Sequence, residues 1–410
     1  MANRPIDPMT ASLVARMRGQ VSRRRVLQAA GLSSAAMLAA ACGGTGGDDA
    51  GGDSSGAPSA ATQPDLSDTE KVLAWSNWPL YIDVNDDTGE RPTLKAFEEE
   101  TGIKVTYNED INDNNEFYAK VRSQLEAGQA IDRDLVVLTD WMAALWIQNG
   151  FAQMLDKANI PNSGNIIPRL QSVSFDPNRD YTLPWQSGFG GLGYNVELLQ
   201  QATGSDSITT VEQLFDPRLA GRVTVLSEMR DTMGVMIASQ GNDPSNFTED
   251  QFNQAIDELT KQVDSGQIRQ VTGNDYIAAL ENGDVIAVIG WSGDIFALGD
   301  GYGFSLPETG GTLWTDNMLI PAMAAHKKNA ETVMNYYYDP EVAAQVAAYV
   351  QYICPVEGAQ QAMEKVDPEL VDNPWIFPTE EQLNKGYVFM ELTPEQNEAY
   401  ERQFQAAIGN

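Results

Sequence analysis

The sequence predicts an α/β fold built as two lobes with a cleft between them. Three observations carry this reading. From Glu70 onward, short apolar runs alternate with segments of helical periodicity; the same alternation starts afresh at Arg222; and a glycine-rich extended stretch lies between the two blocks. Compact apolar strands separated by helices point to a parallel sheet. Two such blocks suggest two lobes, and the cleft between lobes is the default place for a ligand.

Residues 71–76 read as the first strand. The helical segment 93–101 presents Leu94 and Phe97 and meets its stop signal at Gly102. Residues 103–107 alternate like a strand, and a helix over 115–127 presents Phe117, Val121 and Leu125 before Gly128. A short buried strand is expected over 134–139, followed by a helix over 140–148. The stretch Gly188-Phe189-Gly190-Gly191-Leu192-Gly193 reads as a strand crossing between the lobes, where backbone approaches backbone closely. In the second block, strands over 222–226, 268–271 and 284–290 alternate with helices over 231–239 and 252–263. Helices over 329–338, 340–350 and 394–407 fill the C-terminal part.

The chain has 410 residues, with 58 Asp and Glu against 26 Lys and Arg, one His, two Cys and a formal net charge of -32. Nucleic-acid affinity rests on Lys and Arg neutralising phosphates, so this balance argues against a nucleic-acid partner. A single His argues against His-based triads and most zinc sites, and two Cys build no disulfide framework or zinc finger. No cofactor or metal is expected.

The N-terminus is an address rather than part of the fold. Ser22-Arg23-Arg24-Arg25-Val26-Leu27-Gln28 is followed by a small-residue apolar run over 29–41, too short to cross a bilayer. It resembles a twin-arginine (Tat) export signal, with Val26 and Gln28 at two variable places. Leu38-Ala39-Ala40-Ala41-Cys42-Gly43 looks like a bacterial lipobox, in which Cys42 carries the lipid; the competing reading is an ordinary cleavage near Ala41. Residues 1–41 are thus assigned to the signal and 42–68 to a flexible Gly/Ser/Asp tether. The signal holds Arg4, Arg16, Arg18, Arg23, Arg24 and Arg25 against a single acid, Asp7, so the exported part is more acidic than the whole. Cys354, in an apolar stretch, reads as a buried small hydrophobe.

Several motifs have plain readings. Residues 188–193 match G-x-G-x-x-G, but no helix opens straight after them, so a dinucleotide site is disfavoured. Asp83-Val84-Asn85-Asp86-Asp87-Thr88-Gly89 has its glycine at the seventh place and Leu94 at the twelfth, which reads as an acidic surface turn rather than a calcium loop. Tyr336-Tyr337-Tyr338 ends a helix and reads as packing rather than as a ferric-ion site. Asn246-Phe247-Thr248 is a glycosylation sequon by letter only.

Aromatic residues recur beside acids at expected strand ends and loop starts. The clusters are Asn77-Trp78-Pro79-Leu80-Tyr81, Thr139-Asp140-Trp141, Ser227-Glu228-Met229-Arg230-Asp231, Trp291-Ser292-Gly293-Asp294 and Leu313-Trp314-Thr315-Asp316-Asn317. Strand ends are where open α/β sheets bind ligands. Carboxylates pair with ammonium groups through charge-assisted hydrogen bonds, and aromatic faces attract them while packing methylenes. The pattern therefore suits an organic cation.

At these residues the chain resembles the bacterial spermidine/putrescine-binding proteins of polyamine ABC transporters, which are family 1 extracellular solute-binding proteins. The landmarks are Ser76-Asn77-Trp78-Pro79-Leu80-Tyr81-Ile82, Phe97-Glu98-Glu99-Glu100-Thr101-Gly102-Ile103-Lys104-Val105, Asn115-Glu116-Phe117-Tyr118-Ala119-Lys120, Asp134-Leu135-Val136-Val137 and Trp314-Thr315-Asp316-Asn317-Met318-Leu319-Ile320-Pro321. The resemblance implies a periplasmic-binding-protein-like fold whose two lobes close about a hinge on an interlobe ligand. It places 69–186 plus 315–360 in the first lobe and 187–314 plus 361–410 in the second. It implies that Trp78 and Tyr81 fall on first-lobe aromatics that stack on the polyamine chain, that Trp141 replaces a family Tyr, that Trp291 and Trp314 fall on second-lobe and hinge aromatics of the site, that Asp316 binds an amine, and that Glu228 and Asp231 form an acidic pair at the ligand's other end. Tyr352 matches a further cleft aromatic, and Asp140 is an additional acid beside Trp141. Arg230 either points away from the acidic pair or neutralises one member, which would favour a diamine. The implied protein is a monomeric, non-enzymatic receptor, periplasmic or at the cell surface, anchored through Cys42 and serving ABC permease subunits. The alternatives are a receptor for an amino-acid derivative, a sugar or ferric ion, or a secreted hydrolase using Glu228 and Asp231 as its carboxylate pair.

Overall fold

The computed structural model describes residues 60–85 and 87–409, all within one unit, Ala57–Asn410. The twin-arginine stretch, Cys42 and the first part of the tether lie outside the described residues.

The strands in chain order are β1 (Val72–Asn77), β2 (Lys104–Glu109), β3 (Leu135–Thr139), β4 (Thr182–Asn195), β5 (Val223–Leu226), β6 (Ile268–Thr272), β7 (Ala287–Trp291), β8 (Tyr302–Ser305), β9 (Gly311–Leu319) and β10 (Gly386–Tyr387). They form one sheet in the order β2-β1-β3-β9-β4-β7-β5-β6, with β10 on β9 and β8 on β4. The helices of eight residues or more are α1 (Pro92–Thr101), α2 (Asn114–Glu126), α3 (Asp140–Gln148), α4 (Val196–Thr203), α5 (Met229–Ser239), α6 (Glu249–Asp264), α7 (Lys327–Tyr337), α8 (Pro340–Val350), α9 (Ala359–Val366) and α10 (Pro394–Ala407).

The flanks obey the parallel pattern: β1 pairs in parallel with β2 and β3, and β5 with β6 and β7. The centre departs from it. There β4 and β9 run antiparallel to each other, β9 is antiparallel to β3, and β4 is antiparallel to β7. The two long strands thus join a β1–β3 half to a β5–β7 half, and the expected breaks at 186/187 and 314/315 fall inside them. The expected cut at 360/361 falls inside α9, which packs along α8. The strand expected from 284 begins only at Ala287.

The segment 311–319 carried no strand signal because both its faces are covered. Its polar side chains are buried yet partnered. Asn317 Oδ1 accepts from Arg179 Nη1 at 2.8 Å, and Ser187 and Thr315 share a hydrogen bond of 2.8 Å. Hydrogen bonding is what allows such groups inside, and it erases the alternation that marks a half-exposed strand. Within β4 the glycines make room for side chains as well as backbone. A Cβ on Gly188 would sit 2.5 Å from the Trp314 ring and 2.8 Å from Tyr352, and one on Gly190 would lie 2.9 Å from Asp231 Oδ1.

The tether is shorter than expected. Met323 N donates to Ala61 O at 2.9 Å, Gln63 Nε2 to Met323 O at 2.6 Å and Leu66 N to Ala325 O at 2.8 Å. Asp65 and Ser67 then cap α7, accepting from Lys328 N and Asn329 N at 3.1 Å each. They satisfy first-turn N–H groups that the helix's own preceding residue, His326, leaves open. His326 holds the same corner, with Asp134 and Glu70 each 3.1 Å from its ring nitrogens. Burial alone lowers its pKa, but the two carboxylates outweigh burial and raise it.

Two motif readings are settled here. Asp83 is buried and accepts from Thr93 N at 2.9 Å at the start of α1, so this part of the acidic turn is not surface. Tyr337 and Tyr338 pack in the core, Tyr338 donating to the Pro184 carbonyl. Cys354 is buried too, and burial pushes its thiol up to about 12.

Candidate functional site

A cavity of about 960 Å³ is lined from both halves, and all ten residues singled out above face it. The turn after β1 delivers the first two. Leu80 takes φ 56°, a left-handed conformation unusual for leucine, and this reverses the chain. Trp78 Nε1 is fixed by the Val137 carbonyl at 3.1 Å, and Tyr81 OH donates to Asp316 Oδ2 at 2.8 Å.

Asp316 lies in the middle of β9, not at a strand end. Its other oxygen accepts from Thr139 Oγ1 at 2.7 Å. It is 4% exposed, and burial pushes its carboxyl up to about 7. Asp140 opens α3 and accepts from Asn317 Nδ2 at 2.7 Å; burial raises it to about 6.

The opposite wall starts at α5. Asp231 accepts from Trp291 Nε1 at 3.0 Å and Thr312 Oγ1 at 2.7 Å, and burial raises its pKa. Glu228 does not pair with it through a shared partner. Glu228 Oε1 reaches the start of α2 instead, accepting from Asn114 N at 2.8 Å and Asn114 Nδ2 at 2.9 Å. Burial, and then the nearby charge of Asp113, hold its carboxyl well above the usual range. Ser227 Oγ donates to Asp113 Oδ2 at 2.8 Å, so the two halves touch at two adjacent points.

Five rings follow one another edge to face around the cavity. The centroid separations are 6.2 Å for Trp78–Trp291, 6.4 Å for Trp291–Trp314, 5.3 Å for Trp314–Tyr352 and 5.5 Å for Tyr352–Tyr81. Edge-to-face contact is a preferred packing for aromatic quadrupoles, so the rings hold one another in place. Trp141 stands apart from this chain. The Arg230 guanidinium lies over its ring at 4.0 Å, so that face is already taken by a cation. Arg230 makes its ion pair with Glu401 rather than with Glu228 or Asp231, although the charges of these two acids still act on it. Its Nη2 donates to Asn397 Oδ1 at 2.7 Å, Glu401 lies 3.7 Å from Nη1, and burial lowers the guanidinium to about 10.

Sequence reasoning passed over Asp294. It sits in the first turn of the short helix Ser292–Ala297 and faces the cavity. Tyr352 OH, Tyr276 OH and Asn274 Nδ2 converge on it at 2.7, 2.8 and 3.0 Å, and burial raises its carboxyl. The signal was present, because Asp294 ends the Trp291-Ser292-Gly293-Asp294 cluster.

The site thus gathers five acids, Asp140, Glu228, Asp231, Asp294 and Asp316, all raised by burial. Ionised carboxylates in such surroundings are costly, and a bound organic cation removes the cost by supplying charge and N–H donors. Among the described residues, no group of three or more His, Cys, Asp or Glu is placed to hold a metal ion.

The sequence matches the family described as bacterial extracellular solute-binding protein over residues 93–379. It is 29% identical over 341 residues to the putrescine-binding periplasmic protein PotF of Escherichia coli strain K12, covering 79% of this chain and 87% of that protein. It is 26% identical over 323 residues to the spermidine/putrescine-binding periplasmic protein of the same strain, covering 78% and 87%. Among solved structures, a Listeria monocytogenes protein provisionally assigned to a spermidine/putrescine ABC transporter superposes with TM-score 0.71 at 25% identity, covering 82% of this chain and 99% of that one.

Proposed function

Because the chain belongs to the bacterial extracellular solute-binding protein family, we propose that it is an exported receptor, not an enzyme, that takes a linear polyamine of the spermidine/putrescine class and delivers it to an ABC permease. The observation that carries this reading is the set of five raised carboxylates in one aromatic-lined cavity, while the half-buried Arg230 is held by Asn397 and Glu401 instead. An amino-acid ligand would need a basic clamp for its carboxylate among the acids; Arg230 is engaged with Trp141, Asn397 and Glu401, and the other arginine of the lining, Arg169, is an exposed residue. A hydrolase would need Glu228 and Asp231 as a working pair, whereas Glu228 is bound to the start of α2. The name of the putrescine-binding relative adds support for an amine.

In this reading β4 and β9 are the hinge, and the halves they join are the two lobes, which close on ligand as rigid bodies. The first lobe extends through α9. The chain returns to the second lobe near Trp375, whose ring packs on Phe189, Phe296 and Phe304. Calorimetry with putrescine, spermidine and spermine tests the reading: one site per chain is expected, and no heat with any of them would refute it.

The receptor is proposed to be a monomer held at the membrane by lipid on Cys42. No helix among the described residues is long and apolar enough to cross a membrane. Cys42→Ala is expected to shift the protein from the membrane to the soluble fraction. An unchanged distribution would remove the anchor.

A further inference from the structure

We propose that residues 112–115 are a clasp holding the β1–β3 and β5–β7 halves together behind the cavity wall, and that Asn114 is the positioning residue that ties Asp316 to it; the link to ligand rests on the polyamine reading above. The segment lies between β2 and β3 and opens α2, and each of its residues meets the other half. A Cβ on Gly273, just past β6, would collide with the Asn112 carbonyl oxygen and lie 2.9 Å from the Asn112 side-chain amide. Asp113 accepts from Ser227 Oγ, and Asn114 N and Nδ2 donate to Glu228. Asn115 Nδ2 donates at 3.2 Å to Glu401 Oε1 on α10, a helix stacked on α6 through Tyr400 and Phe252. Of these clasp residues Glu228 alone lines the cavity.

The starts of α2 and α5 meet here, with Asp113 and Glu228 as their N-caps. Helix starts carry unpaired N–H groups and partial positive charge, so two in contact repel unless an anion lies between them. Each cap carboxylate reaches across to the other half, and the first N–H of α2 finds its acceptor there, in Glu228. Opening the halves strips it of that acceptor.

Asn114 is 1% exposed, and its amide is held on both sides. Nδ2 donates to Thr139 Oγ1 at 2.8 Å as well as to Glu228, and Oδ1 accepts from Thr139 N at 3.2 Å. The reverse orientation would set the amide oxygen against the Glu228 carboxylate. An amide N–H only donates, so the Thr139 hydroxyl accepts it and keeps its own hydrogen for Asp316 Oδ1. Asp316 and Glu228, on opposite walls, are thereby joined through two side chains. An ammonium that draws Asp316 toward itself acts on Thr139 and Asn114, and through them on closure.

Gly273→Ala tests the clasp. Gly273 does not occupy the left-handed region, so the methyl is a wedge between the halves rather than a strain on its own backbone. Small-angle scattering and tryptophan emission of the ligand-free full chain read closure, because Trp78 and Trp291 meet across the halves. The empty variant is expected to expand. A closed fraction reduced to about a tenth lowers the affinities for putrescine and spermidine by one common factor, on the order of tenfold. Unchanged shape and affinities overturn the clasp. The relay is tested by melting the ligand-free protein: the shifts of Asn114→Ala and Asp316→Asn should fail to add by about 1–4 °C, whereas Ser227→Ala and Asp316→Asn should add. Additive shifts in both pairs overturn the role of Asn114. Where Asn114→Ala does not fold, Thr139→Val with Glu228→Gln tests the same relay, because their hydrogen bonds meet at Asn114. Shape and melting need no ligand, so they decide this inference even if no polyamine binds.

Discussion

Asp316→Asn is expected to weaken polyamine binding by on the order of 100-fold while making the ligand-free protein more stable. The first effect follows from removing a charge that a bound ammonium would pair with out of water, worth roughly 3 kcal/mol. The second follows from the sign of the shift. Burial raises the folded pKa of Asp316 to about 7, above its value in the unfolded chain. Its ionisation therefore opposes folding: the contribution is absent below the unfolded pKa, grows as pH rises, and is complete above about 7. An amide removes that cost but fits Tyr81 OH and Thr139 Oγ1 less well than a carboxylate that accepts from both. The net gain expected at pH 8 is about 1–3 kcal/mol, which raises the melting temperature by several degrees. Thermal melts and calorimetry on the same preparation read both effects. A variant that is less stable and binds normally would reverse this account of Asp316.

Affinity for a polyamine is expected to fall by on the order of 100- to 1,000-fold between pH 8 and pH 5. Two carboxyls with values of about 7 and about 6, Asp316 and Asp140, carry protons over part of this range in the empty cavity. A bound ammonium favours their ionised forms, so binding below pH 7 must expel protons, and each pH unit below a group's pKa costs about tenfold. The ligand's own amines stay charged throughout, as a lysine does. Calorimetry in buffers of different ionisation enthalpy should show proton release of about one near pH 6.5. An affinity that is flat with pH, with no proton release, would mean that these groups are already ionised without ligand. In Asp316→Asn the dependence should shrink to the part due to Asp140.

Much of the fold was legible because the flanking strands and amphipathic helices follow simple periods. The helix 140–148 and the strand 72–77 sit close to where alternation and end signals put them. The centre was not legible. In β9 buried Thr, Asp and Asn replace the apolar face, and only partners distant in sequence, such as Arg179 and Tyr81, make that tolerable. The same holds for the site. Proximity of aromatics to acids pointed to the cavity wall, yet nothing local could reveal that Arg230 covers Trp141, or that Glu228 crosses to α2. Asp294 was visible in its cluster, but its three donors come from two other places in the chain, the 274–276 segment and Tyr352.

The segment that caps α7 has a mechanical consequence. Its hydrogen bonds start at Ala61 and continue through Ser67, and they attach it to the β1–β3 half alone. With lipid on Cys42, the leash is then about 19 residues, which at full stretch spans at most about 65 Å. Were the chain so anchored, a pull would reach the described residues at the corner formed by Asp65, Ser67 and His326. That would make the β1–β3 half the moored body and the β5–β7 half the one that swings. Closure would then need no slack in the leash, and tension on the anchor would leave the hinge strands unloaded.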